Sequence, residues 1–171
     1  DAAGLLRTAI RCEDPVLFME HKGLYRKSEA KTQYPGDDYT VPFGKAKVVR
    51  EGKDVTIVTY GLMVYLALEA AENLEKENIS VEIIDLRTLS PWDFETVARS
   101  FKKTNRALIL HEDVESSGFG AEIAATLAEK CSDDIERIGR LGAKNCFVPY
   151  APNLEKDVLP QVVEIEEKIK K

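Results

Sequence analysis

D-V-T-I-V-T-Y-G (Asp54–Gly61), S-V-E-I-I-D-L-R-T-L-S-P (Ser80–Pro91) and A-L-I-L-H-E-D (Ala107–Asp113) follow one another with a helix-length stretch in each gap. Three short apolar runs alternating with amphipathic helices predict βαβ units, hence a parallel sheet covered on both faces. After Gly61, the apolar residues Met63, Leu66, Ala67, Ala70, Ala71 and Leu74 recur at helical spacing. The next helix is expected to open on Ser90-Pro91, as cap and first-turn proline, and to bury Phe94, Val97, Ala98 and Phe101. A third follows Gly118-Phe119-Gly120 and uses Ile123, Ala124, Leu127 and Ala128.

Working outward, Lys45–Arg50 and Val55–Tyr60 flank the turn Glu51-Gly52-Lys53-Asp54, so these two strands are expected to pair antiparallel. A further strand is expected within Ile135–Leu141, and a closing helix after Pro160 buries Val162, Ile165 and Ile169. Upstream, Ala2–Cys12 carries a helical stripe of Leu5, Leu6, Ala9 and Ile10, ended by Asp14-Pro15. Pro15–His21 reads as a short strand, and the polar, turn-containing Lys22–Pro42 as an extended interdomain linker. A chain that opens at Asp1 directly into helix is expected to be a piece of a longer protein.

The chain has 171 residues, 32% charged and 44% hydrophobic, enough to bury one core in an ordinary globular domain. Net charge is -6 and no Lys/Arg block exceeds a pair, which argues against nucleic acid and leaves room for a basic protein partner. Cys12, Cys131 and Cys146 form neither a C-x-x-C pair nor a disulfide framework, so a reducing compartment such as the cytoplasm is expected. Apolar runs are too short to span a membrane as a helix.

Three groups of residues could carry chemistry. His111-Glu112-Asp113 ends a buried strand, where open α/β sheets place functional loops. A histidine next to two carboxylates could be a base with a raised pKa, or the strand could simply turn polar at solvent. Ser116–Gly120 could cradle an anion on its N–H groups, or its glycines could let a helix approach the sheet. Asp85 and Arg87 read as a buried pair organising a loop rather than as catalysts. His21 and His111 have no metal-like spacing, and no activated nucleophile is evident. The residues by themselves predict a doubly wound domain without a self-contained active site.

Six phrases in order add a resemblance: E-H-K-G-L-Y-R (Glu20–Arg26), V-P-F-G-K-A (Val41–Ala46), E-G-K-D-V-T-I-V-T-Y-G (Glu51–Gly61), S-V-E-I-I-D-L-R-T-L-S-P, K-K-T-N-R (Lys102–Arg106) and G-F-G-A-E-I-A (Gly118–Ala124). Together they resemble the C-terminal half of the β subunit, or of the β region of an α/β fusion, in thiamine-diphosphate-dependent 2-oxo acid dehydrogenases of the pyruvate or branched-chain type. A stand-alone binding module, or the equivalent domain of a transketolase or deoxyxylulose-phosphate synthase, is the alternative.

The resemblance implies a three-layer α/β/α fold from about Phe43 to Lys171, with a five-stranded mixed sheet whose first strand is antiparallel. Residues 1–34 would be the tail of a pyrimidine-binding domain and residues 35–42 a linker. The resemblance also implies thiamine diphosphate and Mg²⁺ in the full enzyme, held outside this chain, which alone would be inactive. It implies an α subunit or α region, a β–β homodimer and a lipoyl acyltransferase binding domain as partners. Half of a potassium site would fall on the main-chain carbonyls of Ala9 and Cys12 and the side chain of Asp14. Asp133, Asp134 and Glu136 could meet the acyltransferase, although the Ile135–Cys146 wording departs from the family's usual pattern. Self-pairing is expected through a face that includes His111, Glu112, Asp113, Phe119, Phe147 and Tyr150.

Overall fold

A computed structural model describes the whole chain, residues 1–171. Five strands form one mixed sheet: β1 (Lys47–Arg50), β2 (Val55–Thr59), β3 (Val81–Asp85), β4 (Arg106–Val114) and β5 (Arg137–Ala143), in the order β1-β3-β2-β4-β5. β3, β2, β4 and β5 are parallel and β1 alone is antiparallel. Helices α2 (Met63–Glu75) and α6 (Val162–Lys170) cover one face, and α3 (Phe94–Thr104) and α4 (Phe119–Lys130) the other.

Side chains alternate across a strand, so each strand feeds both cores. Ile57, Ile83, Leu108 and Leu110 pack with Ala67, Leu74 and Ile165 on one side, while Val58, Ile84 and Ile109 meet Val97, Phe101 and Leu127 on the other. The central β2 is buried at all five positions, as a strand with helices on both faces must be. The expected three-layer fold with an antiparallel first strand is thus present.

Several local expectations differ. β1 and β2 do not form a hairpin: β1 pairs with β3, aligning Lys47 with Asp85 and Val48 with Ile84. The connection passes around the start of β3, where Asp54 Oδ2 accepts the Ser80 N–H at 2.6 Å and the Asp54 N–H donates to the Ser80 carbonyl at 2.9 Å. Gly52 allows this crossing, since a Cβ there would lie 2.1 Å from the Glu82 nitrogen. Ser90-Pro91, a cis peptide, precedes α3 without capping it. The cap is Asp93, whose Oδ1 accepts the Thr96 N–H at 3.1 Å. Ala128, expected in the core, is exposed on α4.

Pro15–His21 is not a strand, because no neighbouring backbone pairs with it. The N-terminal helix α1 (Ala2–Arg11) instead packs on the segment that follows it. Arg7 donates to the carbonyls of Gly36 and Tyr39 at 2.7 and 2.9 Å, and Thr8 donates to the Val41 carbonyl at 2.7 Å. A short helix, α5 (Pro152–Val158), was not anticipated.

Candidate functional site

The crossover reverses direction between β2 and β4: from β2 the chain steps outward to β3, then returns past β2 to β4. The carboxyl ends of strands at such a switch point form the crevice where open α/β sheets bind ligands. Tyr60 follows β2 there, and His111, Glu112 and Asp113 lie in the last part of β4. Tyr60 and His111 lie parallel, with ring centroids 6.5 Å apart and planes 6° from coplanar.

His111 shares its strand face with Ala107 and Ile109 and points beneath the first turn of α4. It is fully buried, and neither ring nitrogen has a hydrogen-bond partner. Three glycines make its space. A Cβ at Gly120 would sit 2.3 Å from His111 Nε2, and one at Gly118 or Gly142 would sit 2.8 or 2.9 Å from its Cε1. The Ser116–Gly120 glycines therefore answer a packing demand. Gly118 caps α4 with no side-chain bond, and Ser117 takes a φ of 62°.

A histidine with a raised pKa is not what forms. Burial lowers the His111 pKa, outweighing the opposing influence of Asp113 and Glu115, while Arg140 reinforces the lowering. Tyr60 is pushed up to about 12 by burial and then by Asp113 and Glu112. At neutral pH both rings are uncharged. Glu112, on the opposite side of the strand, meets His21 Nε2 at 3.0 Å, although 91 residues separate them. No sequence signal could have paired those two, since each sits in an unrelated local pattern. Asp113 is exposed and accepts the Val114 N–H at 2.8 Å.

Asp85 and Arg87 do not form the expected side-chain pair. Asp85 Oδ1 accepts the Arg87 main-chain N–H at 3.1 Å, whereas the guanidinium donates to the carbonyls of Lys45 and Ala46 at 2.9 and 3.3 Å. Arg87 thus fastens the entry to β1 through its side chain. Burial raises the Asp85 pKa against the opposing pull of Arg87 and Lys47.

The remaining candidates are dispersed. The Ala9 carbonyl accepts the Cys12 N–H at 3.3 Å at the end of α1, Cys12 is half-buried and Asp14 is exposed. No three His, Cys, Asp or Glu side chains stand together so as to hold a metal ion. Of the expected pairing face, His111 is interior, and Phe119 is half-buried against the α3–α4 core. Phe147 and Tyr150 are fully exposed. Their loop follows β5 and is joined to the β4–α4 loop by Asn145, whose amide donates to Ser116 Oγ at 3.3 Å. No helix is long and apolar enough to cross a membrane.

Comparison with known proteins matches residues 44–165 to the family described as "Transketolase, C-terminal domain". The chain is 48% identical over 158 residues to the 2-oxoisovalerate dehydrogenase subunit beta of Bacillus subtilis, covering 91% of this chain and 48% of the relative. It is 43% identical over 171 residues to a pyruvate dehydrogenase E1 component subunit beta of Staphylococcus aureus, covering 99% and 52%. Among solved structures it resembles "Split gene transketolase, inactive beta4 tetramer" with a TM-score of 0.70 and 29% identity, over 78% of this chain and 43% of that one. The chain therefore spans about half the length of the curated relatives it matches.

Proposed function

The chain belongs to the transketolase C-terminal domain family, and from that membership we propose that it is the C-terminal half of the decarboxylating component of a cytoplasmic 2-oxo acid dehydrogenase complex. The complete protein oxidatively decarboxylates pyruvate or a branched-chain 2-oxo acid and reductively acylates a lipoyl group. The carrying observation is the reach of the likeness. At 43% identity it includes 99% of the chain, so it extends upstream of residue 44 where the family match begins, whereas the transketolase likeness is 29% over 78%. In this reading residues 1–34 are the tail of a pyrimidine-binding domain, 35–42 a linker and 43–171 the C-terminal domain.

The residues present do not fit thiamine diphosphate with Mg²⁺. There is no cluster of metal-binding side chains, His111 is sealed by glycines, and the acidic Glu112 and Asp113 would repel a diphosphate. The cofactor is held elsewhere in the complete enzyme, together with the α subunit or α region, and the chain alone is inactive. Ala9, Cys12 and Asp14 supply at most part of a potassium shell, because Asp14 stands apart in solvent.

This half serves assembly. Phe147 and Tyr150 contribute to a β–β pair, and the exposed Asp133 and Glu136 offer charge to the basic binding domain of a lipoyl acyltransferase. The test is to assay the complete protein, with its partner subunit, thiamine diphosphate and Mg²⁺, for decarboxylation of 2-oxo acids coupled to a lipoylated acceptor. Ketol transfer between sugar phosphates instead would assign it to the transketolases or deoxyxylulose-phosphate synthases, and no turnover of either kind would favour a binding module.

A further inference from the structure

Residues 13–33 contain no strand or α-helix, only the single 3₁₀ turns Lys22–Leu24 and Ser28–Ala30. Their main-chain hydrogen bonds link residues three apart, as in Leu24 to His21 and Lys31 to Ser28, and none reaches the sheet. Yet the segment lies against the domain. His21, Leu24, Lys27 and Ala30 are half-buried while most residues between them are exposed. That spacing of three is the eclipsed face of a 3₁₀ turn. The His21–Glu112 contact, at 3.0 Å, is the one side-chain hydrogen bond or ion pair joining residues 13–33 to the rest of the molecule.

The contact fixes where the segment is anchored: His21 meets Glu112 in the last part of β4, the neighbour of β2 at the switch point.

We propose that His21 and Glu112 form a clasp that holds residues 21–31 as a strap against the carboxyl end of β4, at the β2/β4 switch point. Only His21 lies upstream of the family domain, so the clasp couples the chain before residue 44 to the sheet. A single partly exposed pair is weak enough to open without unfolding the core. The inference is independent of which reaction the complete protein performs.

Hydrogen exchange of the protein carrying His21→Ala, Glu112→Ala or both tests the clasp, with trypsin as a second probe at Lys22, Arg26, Lys27 and Lys31. Each single variant should speed exchange of residues 22–31, and cleavage within them, about three- to fivefold, the ratio expected of a partly exposed pair. The double variant should add nothing further. Protection of β2 and β4 should stay unchanged. Unchanged exchange in the strap, additive effects, or loss of protection in β4 would each overturn the proposal. Glu112→Gln, which keeps the shape and a neutral hydrogen bond, should release the strap less than Glu112→Ala; an equal effect would also count against the pairing.

Discussion

His111 hides two ring nitrogens without a partner for either, a costly arrangement that neutrality makes tolerable. Since burial lowers its pKa from 6.5, the unfolded chain takes up the proton at higher pH than the folded one. Stability from this group is therefore complete above pH 6.5 and is lost as pH falls from there through the lower folded value. Denaturant unfolding at pH 7.5 and 5.5 should show a larger acid loss for the wild type than for His111→Asn, and equal losses would refute the assignment. Comparing the two slopes cancels the carboxylates, including Asp85, whose raised pKa acts in the opposite sense. The glycine cradle gives a second test. Gly120→Ala places a methyl 2.3 Å from Nε2 with no free side-chain end to yield, so it should cost about 2 kcal/mol or more in the same measurement. The strand-end position of His111 was legible in sequence. Its neutrality was not, because Gly118, Gly120 and Gly142 surround it from the next two elements.

The elements were the most legible level, since alternation and 3.6-residue periodicity report burial directly. β2, β3 and β4 and helices α2, α3, α4 and α6 fall where the pattern puts them, while pairing partners do not follow from periodicity. β1 illustrates this. A turn-rich four-residue link predicts a hairpin, but both edges of β2 are taken by parallel β3 and β4, so β1 joins the far side of β3. The start of α3 was misplaced for a related reason, as the capping Asp93 does two jobs. Its carboxylate accepts the Thr96 N–H at 3.1 Å and the Ala46 N–H at 3.0 Å, tying the helix to the entry of β1. Asp93→Ala should cost about 1–2 kcal/mol, and Asp93→Asn, itself a good cap, distinctly less. Thermal unfolding that ranks the two variants equally would deny the cap. On β3, Glu82 is buried, accepts the Gly52 N–H at 3.1 Å and pairs with Lys103 of α3. Lys103→Ala leaves that carboxylate without its cation. The expected loss is about 2 kcal/mol, less than the ~3–5 kcal/mol of a fully buried pair because the Lys103 side chain is 42% exposed. Glu82→Gln in the Lys103→Ala background should recover part of it.

At the scale of the molecule, large apolar side chains stand exposed in two stretches, residues 10–19 near the N-terminus and residues 147–154 after β5. In the second, Phe147 and Tyr150 stand wholly in solvent, with Val148 and Leu154 beside them in sequence about half exposed, a cluster and not the singly scattered apolar groups that are ordinary on a surface. The sequence placed these residues in a pairing face but also assigned His111 and Phe119 to it. Of those two, His111 is interior and Phe119 half-buried against the α3–α4 core, so the fully exposed aromatics of that set lie on the loop between β5 and α5. Burying two aromatics against their counterparts across a two-fold axis would remove enough apolar area to favour association, because each contact is made twice. Sedimentation should therefore find a dimer or larger species at micromolar concentration. Phe147→Asp with Tyr150→Asp should shift it to monomer by placing like charges opposite one another across the axis. The fold should not change, since neither side chain touches either core cluster: far-UV dichroism and the unfolding midpoint should match the wild type. A wild-type protein that stays monomeric at high micromolar concentration would refute the pairing. An unaltered dimer in the double variant would leave association standing and move its surface to another part of the molecule.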